Sequence, residues 1–224
     1  MDALISSPVL IHFPEGRGMK RVLAVSLAAV FVLSALSSGS AFSAPKANLQ
    51  IGFGANQIQG APMMGLDWKN PMLYAGGMYF PSSWAVLIAD ISYGLENEYE
   101  QTEGTDTEKF KGQSGYADFM FGAVKHFTDG GFLYASLGAA VGWASVEMSD
   151  RDGEIKIDTG AGAVFGAGMQ IPIRNTFMGF ANFKQRCVPT EIHVERTESS
   201  EYTSTFNAGG FEMTVGVAWT FGEK

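Results

Sequence analysis

The stretch TFNAGGFEMTVGVAWTF, Thr205 to Phe221, decides the fold. Every second residue from Phe211 is large and apolar: Phe211, Met213, Val215, Val217, Trp219 and Phe221. The opposite parity carries Ala208, Gly210, Glu212, Thr214, Gly216, Ala218 and Thr220, which are small or polar and include one acid. A strict period of two is the signature of a strand with two unlike faces. A soluble strand sets an apolar face against a charged, watered one. Here the second face is too small and too uncharged for water. The pattern fits a strand whose apolar side meets lipid and whose small side fills a narrow barrel.

Seven earlier segments repeat the alternation. Working back and then forward, strands are predicted at about Leu49–Gln57, Met72–Phe80, Trp84–Leu95, Ser114–Phe127, Phe132–Val146, Asp158–Ile171 and Thr176–Val188. Short turn sequences follow the second, fourth and sixth strands. Longer polar segments follow the first, third, fifth and seventh. Two of these are acidic, Glu96–Lys111 and Pro189–Ser204. Asp150-Arg151-Asp152-Gly153 reads as a hairpin tip, because Asp-Gly suits a type I′ turn. Eight strands, with long and short connections alternating and both termini on the short-turn side, predict an all-β, eight-stranded antiparallel up-and-down transmembrane barrel. Closure is required in lipid, since an open edge leaves backbone groups unpaired. A soluble carrier barrel or a β-sandwich would need a polar exterior. Charged residues are nearly absent from both faces of the first, fifth and sixth strands.

The N-terminal region reads as export machinery. Lys20 and Arg21 lead into the apolar run Val22–Leu36, followed by small residues up to Ala41-Phe42-Ser43. That is a secretory signal peptide over 19–43, with cleavage expected between Ser43 and Ala44. Residues 1–18 fit no part of a signal. Glu15-Gly16-Arg17-Gly18 matches the translation of a purine-rich ribosome-binding site, so Met19 reads as the initiator and 1–18 as an over-called, disordered start. The barrel domain is then 44–224.

The formal charge of −8 argues against nucleic acid as a partner. One cysteine, Cys187, allows no internal disulfide. Enzyme chemistry would need a nucleophile beside a base. His126 falls at a strand end, and His193 falls in the last acidic segment near Thr190, Glu191, Ser199 and Ser200, where side chains are expected to be solvated. Asp150, Asp152, Glu154 and Asp158 carry only part of a calcium-loop pattern. No catalytic residue, cofactor or metal site is expected. Aromatics cluster near strand ends, Phe80, Trp84, Phe127, Phe132, Phe177, Trp219 and Phe221 by the short turns, and Tyr93, Tyr116, Trp143 and Phe206 towards the long segments. Two interfacial belts are predicted from them.

The inward faces carry Asp90, Asp118, Lys184, Arg186 and Glu212. Counted from the short-turn ends, Asp90, Asp118, Lys184 and Glu212 fall near one height. An eight-stranded barrel is only wide enough for side chains to fill. The five are therefore expected to form one ion-pair network that plugs the lumen.

The chain resembles the small eight-stranded outer-membrane proteins, the group of OmpX and the OmpA transmembrane domain. The resemblance covers Ala44–Lys224 as architecture, and Phe211 to Phe221 looks like the signal read by the barrel-assembly machinery. It implies a bacterial outer-membrane protein with periplasmic termini. Expected partners are outer-membrane lipid and lipopolysaccharide, with the assembly machinery during biogenesis, and the barrel is expected to be a monomer. The expected role is structural or surface-interactive through the acidic segments. A narrow channel is the alternative. A lipid A-modifying enzyme is the third reading, but the His-Tyr-Ser-type run of the deacylases is absent.

Overall fold

The computed structural model describes residues 46–58, 69–103, 106–148, 153–174, 176–196 and 202–222. The predicted signal peptide over 19–43, residues 1–18 and the tip residues Asp150 and Asp152 lie outside them. Among the described residues there are eleven strands: β1 (Ala47–Ile58), β2 (Lys69–Tyr79), β3 (Ala85–Gly94), β4 (Asn97–Glu103), β5 (Asp106–His126), β6 (Phe132–Met148), β7 (Gly153–Arg174), β8 (Phe177–Cys187), β9 (Pro189–Arg196), β10 (Tyr202–Asn207) and β11 (Gly210–Phe221).

Eight of them close a ring. The order is β1-β2-β3-β5-β6-β7-β8-β11, and β11 returns to β1 over Ala47↔Phe221 to Ile58↔Gly210. Every pairing is antiparallel, so the ladder has no open edge within the ring. The predicted phase sets the walls. Leu49, Ile51 and Phe53 face outward, Phe53 at 67% exposure, while Gln50 and Asn56 face inward and are buried. The same split puts Phe119, Phe121, Val141, Met213, Val217 and Trp219 outside. An apolar exterior around a polar interior reverses the order of a soluble protein. It is the arrangement that lipid stabilises.

The two acidic segments are not loops. Residues 97–103 and 106–112 pair as an antiparallel hairpin, β4 with β5. Residues 189–194 and 202–207 pair likewise, β9 with β10. The alternation of Tyr99, Phe110, Ile192 and Val194 with polar residues supports strands here. These segments continue the ladder above the ring: β5 pairs with β6 out to Phe110↔Met148, and β7 with β9 over Gly153↔Arg196 to Ile157↔Ile192. The wall is therefore tall from β4 to β10. Among the described residues the β1–β2 pairing ends at Gln57↔Lys69.

The decisive stretch is also divided. Its strand breaks at Ala208-Gly209 between β10 and β11. The Asn207 side chain accepts the N–H of Val188 at 2.7 Å and that of Gly209 at 3.0 Å. A Cβ on Gly209 would lie 2.5 Å from the Arg186 carbonyl oxygen, so only glycine allows this close crossing.

The short turns and the described termini share one end. Lys46 donates its N–H to Gly222 O at 2.8 Å, and Phe80 donates to Lys46 O at 2.9 Å. At that end the belt differs from expectation. Trp84, Phe177, Trp219 and Phe221 face outward, joined by Tyr79. Phe80 and Phe132 instead turn inward, as does Tyr116 towards the other end. All three sit on the inward parity of their walls, next to buried Met78, Tyr134 and Asp118. Trp84, predicted as the first residue of the third strand, precedes β3. It sits in the bend at 81–84 and is half exposed.

Candidate functional site

The middle of the lumen is filled by charge. Asp90 on β3 lies directly across the ladder from Asp118 on β5. Glu212 on β11 lies directly across from Lys184 on β8. Lys184 and Arg186 reach over the lumen from β8. The Lys184 ammonium donates to Asp90 and to Asp118 Oδ2, the latter at 2.8 Å, and stands 3.8 Å from Glu212. Arg186 donates from Nε to Asp118 Oδ1 at 2.9 Å, from Nη2 to Asp118 Oδ2 at 2.5 Å, and from Nη1 to Glu212 Oε2 at 2.9 Å. The five side chains predicted from the sequence thus meet in one cluster, and all are buried. Asp118 is its hub, since it accepts from both cations.

Two opposed acids on adjacent strands repel. Lys184 bridges them, which is why a base must come from the far wall. Three acids against two bases leave one negative charge in excess. Neutral donors help to offset it: the Ser92 hydroxyl donates to Glu212 Oε1 at 3.0 Å. The far side of each cation meets a tyrosine ring. Lys184 lies 4.9 Å from the Tyr74 centroid, and Arg186 lies 4.3 Å from that of Tyr116. Desolvated cation–π contacts of this kind contribute about 2 kcal/mol.

Below the charges is a layer of amides. Asn182 donates to Gln50 Oε1 at 3.2 Å, the Tyr134 hydroxyl donates to Asn182 Oδ1 at 2.7 Å, and Asn48 donates to Gln170 Oε1 at 3.1 Å. Glycine makes room for both layers. A Cβ on Gly76 would sit 2.5 Å from the Asp90 Cβ, and one on Gly168 would sit 2.6 Å from Asn182 Oδ1. The short-turn end is closed by an aromatic cluster. His126 packs against Phe132, with centroids 5.4 Å apart, and against Phe80 at 6.1 Å. Among the described residues, neither ring nitrogen of His126 has a hydrogen-bond partner.

Sequence reasoning missed Ser92, Tyr74, Tyr116 and the amide layer. Their inward parity was readable for β3, β5 and β6. For β2 it was hidden, because glycines 76 and 77 blur the phase. Of the other residues weighed, Asp158 is exposed beside the bulge where the β6–β7 register shifts between Gly142 and Ala144. Its carbonyl oxygen accepts the Thr190 hydroxyl at 2.5 Å. Glu191 is exposed, while the side chains of His193 and Glu154 and all of Ser199 and Ser200 fall outside the described set.

No protein-family model matches the chain, and no curated protein does. Solved structures do match. The outer membrane protein OprG from Pseudomonas aeruginosa superposes with a TM-score of 0.62 at 10% identity, over 80% of this chain and 97% of that one. The outer membrane protein AlkL matches at 0.49 and 12% identity, over 82% and 93%. Ail, the attachment invasion locus protein of Yersinia pestis, matches at 0.49 and 14% identity, over 80% and 99%. With the closed ring and the apolar exterior, the likeness to OprG gives this chain the fold of the small eight-stranded outer-membrane β-barrels.

Proposed function

We propose that this protein is a closed outer-membrane barrel that acts through its surface, displaying two acidic β-hairpins outside the cell, with its termini in the periplasm. It has no catalytic role in this reading. The observation that carries it is the buried five-membered ion network across the lumen. A filled centre leaves the tall wall of β4 to β10 as the part free to meet a partner. The enclosure of His126 by phenylalanines supports the absence of a base-assisted nucleophile there. The chain's net charge of −8 directs the hairpins towards basic partners.

The test uses the full barrel in proteoliposomes and a fluorescent basic polypeptide, polylysine. Replacing Glu98–Thr107 with a short Gly-Ser linker should leave the barrel assembled, because the β3–β5 ladder ends at Tyr93↔Gly115. Capture of polylysine should fall. Equal capture by both forms would remove the surface reading. The second reading, a narrow channel, would follow from the same network opening, and bilayer conductance separates the two.

A further inference from the structure

Below the crown of strands that rises above the ring, the charges of the lumen do not balance. Three carboxyl groups meet one ammonium and one guanidinium, and the five side chains are at most 2% exposed. A net charge held that far from water is costly unless something neutralises it. The carboxyl oxygens show where. Asp90 Oδ1 accepts from Lys184, Asp118 Oδ1 from Arg186 Nε, and Asp118 Oδ2 from both cations. Glu212 Oε1 accepts from Ser92, and Glu212 Oε2 from Arg186 Nη1. Among the described residues, the last oxygen, Asp90 Oδ2, meets only the Tyr74 hydroxyl, at 3.5 Å. A phenol has one proton to give, and Tyr74 has a nearer acceptor in Gln50 Oε1, at 3.1 Å. The amide layer fixes that direction. Asn182 gives its oxygen to the Tyr134 hydroxyl and so turns its NH2 to Gln50 Oε1, while Gln50 Nε2 donates to Asn48 Oδ1 at 3.2 Å. Tyr74 therefore turns a lone pair towards Asp90 Oδ2. A bare carboxylate there would set two acceptors face to face.

We infer that the network binds one proton, carried on Asp90 Oδ2, and that the closed lumen is thereby a pH-sensitive lock. As a neutral acid, Asp90 donates to Tyr74 Oη and Tyr74 donates to Gln50, so every carboxyl oxygen has its partner. Asp118 and Glu212 then balance Lys184 and Arg186, two against two. The assignment also explains how Asp90 and Asp118 stand directly opposite across β3 and β5, where two ionised acids would repel. The titratable and charged groups facing Asp90 are Tyr74 on β2, Asp118 on β5, Tyr134 on β6, and Lys184 and Arg186 on β8, with Glu212 on β11 beyond Lys184. Gly76, its direct neighbour on β2, has no side chain to add. Alkaline solution takes the proton to water. Asp90 and Asp118 then both carry charge against one ammonium, and the layer loosens. The inference rests on the closed-lumen reading above and adds the condition on which the closure depends.

The experiment compares the full barrel with Asp90→Asn in lipid nanodiscs and planar bilayers. The asparagine amide copies the protonated acid, with Nδ2 placed to donate to Tyr74 and Oδ1 to accept from Lys184. Infrared spectra at neutral pH should show a protonated-carboxyl carbonyl band in the wild type that is missing from Asp90→Asn. Both barrels should be silent in a neutral bilayer. In alkaline solution the wild type should open while Asp90→Asn stays silent. The barrel holds a proton that the unfolded chain has released, so its stability falls as pH rises. The wild-type folding constant, relative to that of Asp90→Asn, should fall by up to about tenfold per pH unit between about pH 5 and 6.5 in urea unfolding. A wild-type spectrum without the band would overturn the proposal, and closure that follows sodium concentration instead of pH would make a metal cation the neutralising group. A band that survives in Asp90→Asn would overturn it by placing the proton elsewhere. So would failure of Asp90→Asn to assemble, read from heat-modifiability on a gel, because the amide would then not replace the acid. A wild-type barrel steadily open at neutral pH would remove the closed-lumen reading and the lock with it, whereas a silent barrel without the band removes the lock alone.

Discussion

Lys184 and Lys111 are each held by acids, and they live in opposite circumstances. Lys184 reaches Asp90 and Asp118 in the lumen with its side chain 2% exposed. Lys111 reaches Glu96 at 3.6 Å and Glu98 at 3.8 Å in the crown, where its side chain is 39% exposed. The chemistry is the same and the depth is not. In the lumen, each charged group depends on the others, because each removed group strands another. In the crown, water replaces any partner that is lost. The barrel therefore has a centre that tolerates almost no change and a rim that tolerates a great deal.

The largest effects should come from breaking the lumen side of this contrast. Lys184→Ala leaves Asp90 and Asp118 facing each other uncompensated, and should destabilise the barrel by about 3–5 kcal/mol in urea unfolding from bilayers. Arg186→Ala strands Asp118 and Glu212 and should cost a similar amount. The geometry also says which double mutant recovers stability. Lys184 contacts Asp90 directly but stands 3.8 Å from Glu212. Lys184→Ala with Asp90→Ala should therefore show a coupling of about 1–3 kcal/mol, larger than Lys184→Ala with Glu212→Ala. Additive losses in both cycles would mean that the layer is a set of separately solvated charges.

The lipid face should come next. Val141 faces outward at the level of Ala117, one residue from the hub Asp118. Val141→Arg should cost about 2–4 kcal/mol in the same assay. A neutral result would contradict the membrane reading of the exterior. Gly168→Ala places a Cβ against Asn182 Oδ1 and the Tyr134 hydroxyl, and should cost about 1–3 kcal/mol through overpacking of the amide layer. The smallest effect belongs to the crown. Lys111→Ala should change stability by no more than about 1 kcal/mol, and the change should vanish in high salt. A loss as large as that of Lys184→Ala would erase the distinction between the two regions.

Much of this was legible in the sequence, because lipid enforces alternation on both walls at once. Glu212 between Phe211 and Met213, or Asp118 between Ala117 and Phe119, can point only one way. That parity brings five distant charges to one interior. Two things were not legible. Strand ends were misread wherever polar composition looked like a loop, as at Asn97–Glu103 and Pro189–Arg196. Above the membrane both faces of a strand are watered, so the apolar signal fades while the ladder continues. The neutral partners of the charges were the second omission. Ser92, Tyr74 and Tyr116 matter through distances across the lumen, and a neutral side chain carries no charge to mark which group on the far wall it meets. Phe80, Phe132 and Tyr116 show the same limit from the other side, since position near a strand end suggested a belt while parity sent them inward.

Single-channel recording in a planar bilayer, with wild type and Lys184→Ala measured side by side, tests the closed lumen most directly. The wild-type barrel should be silent, and the variant should show brief openings as the stranded acids separate. A steady open pore in the wild-type protein would contradict the account.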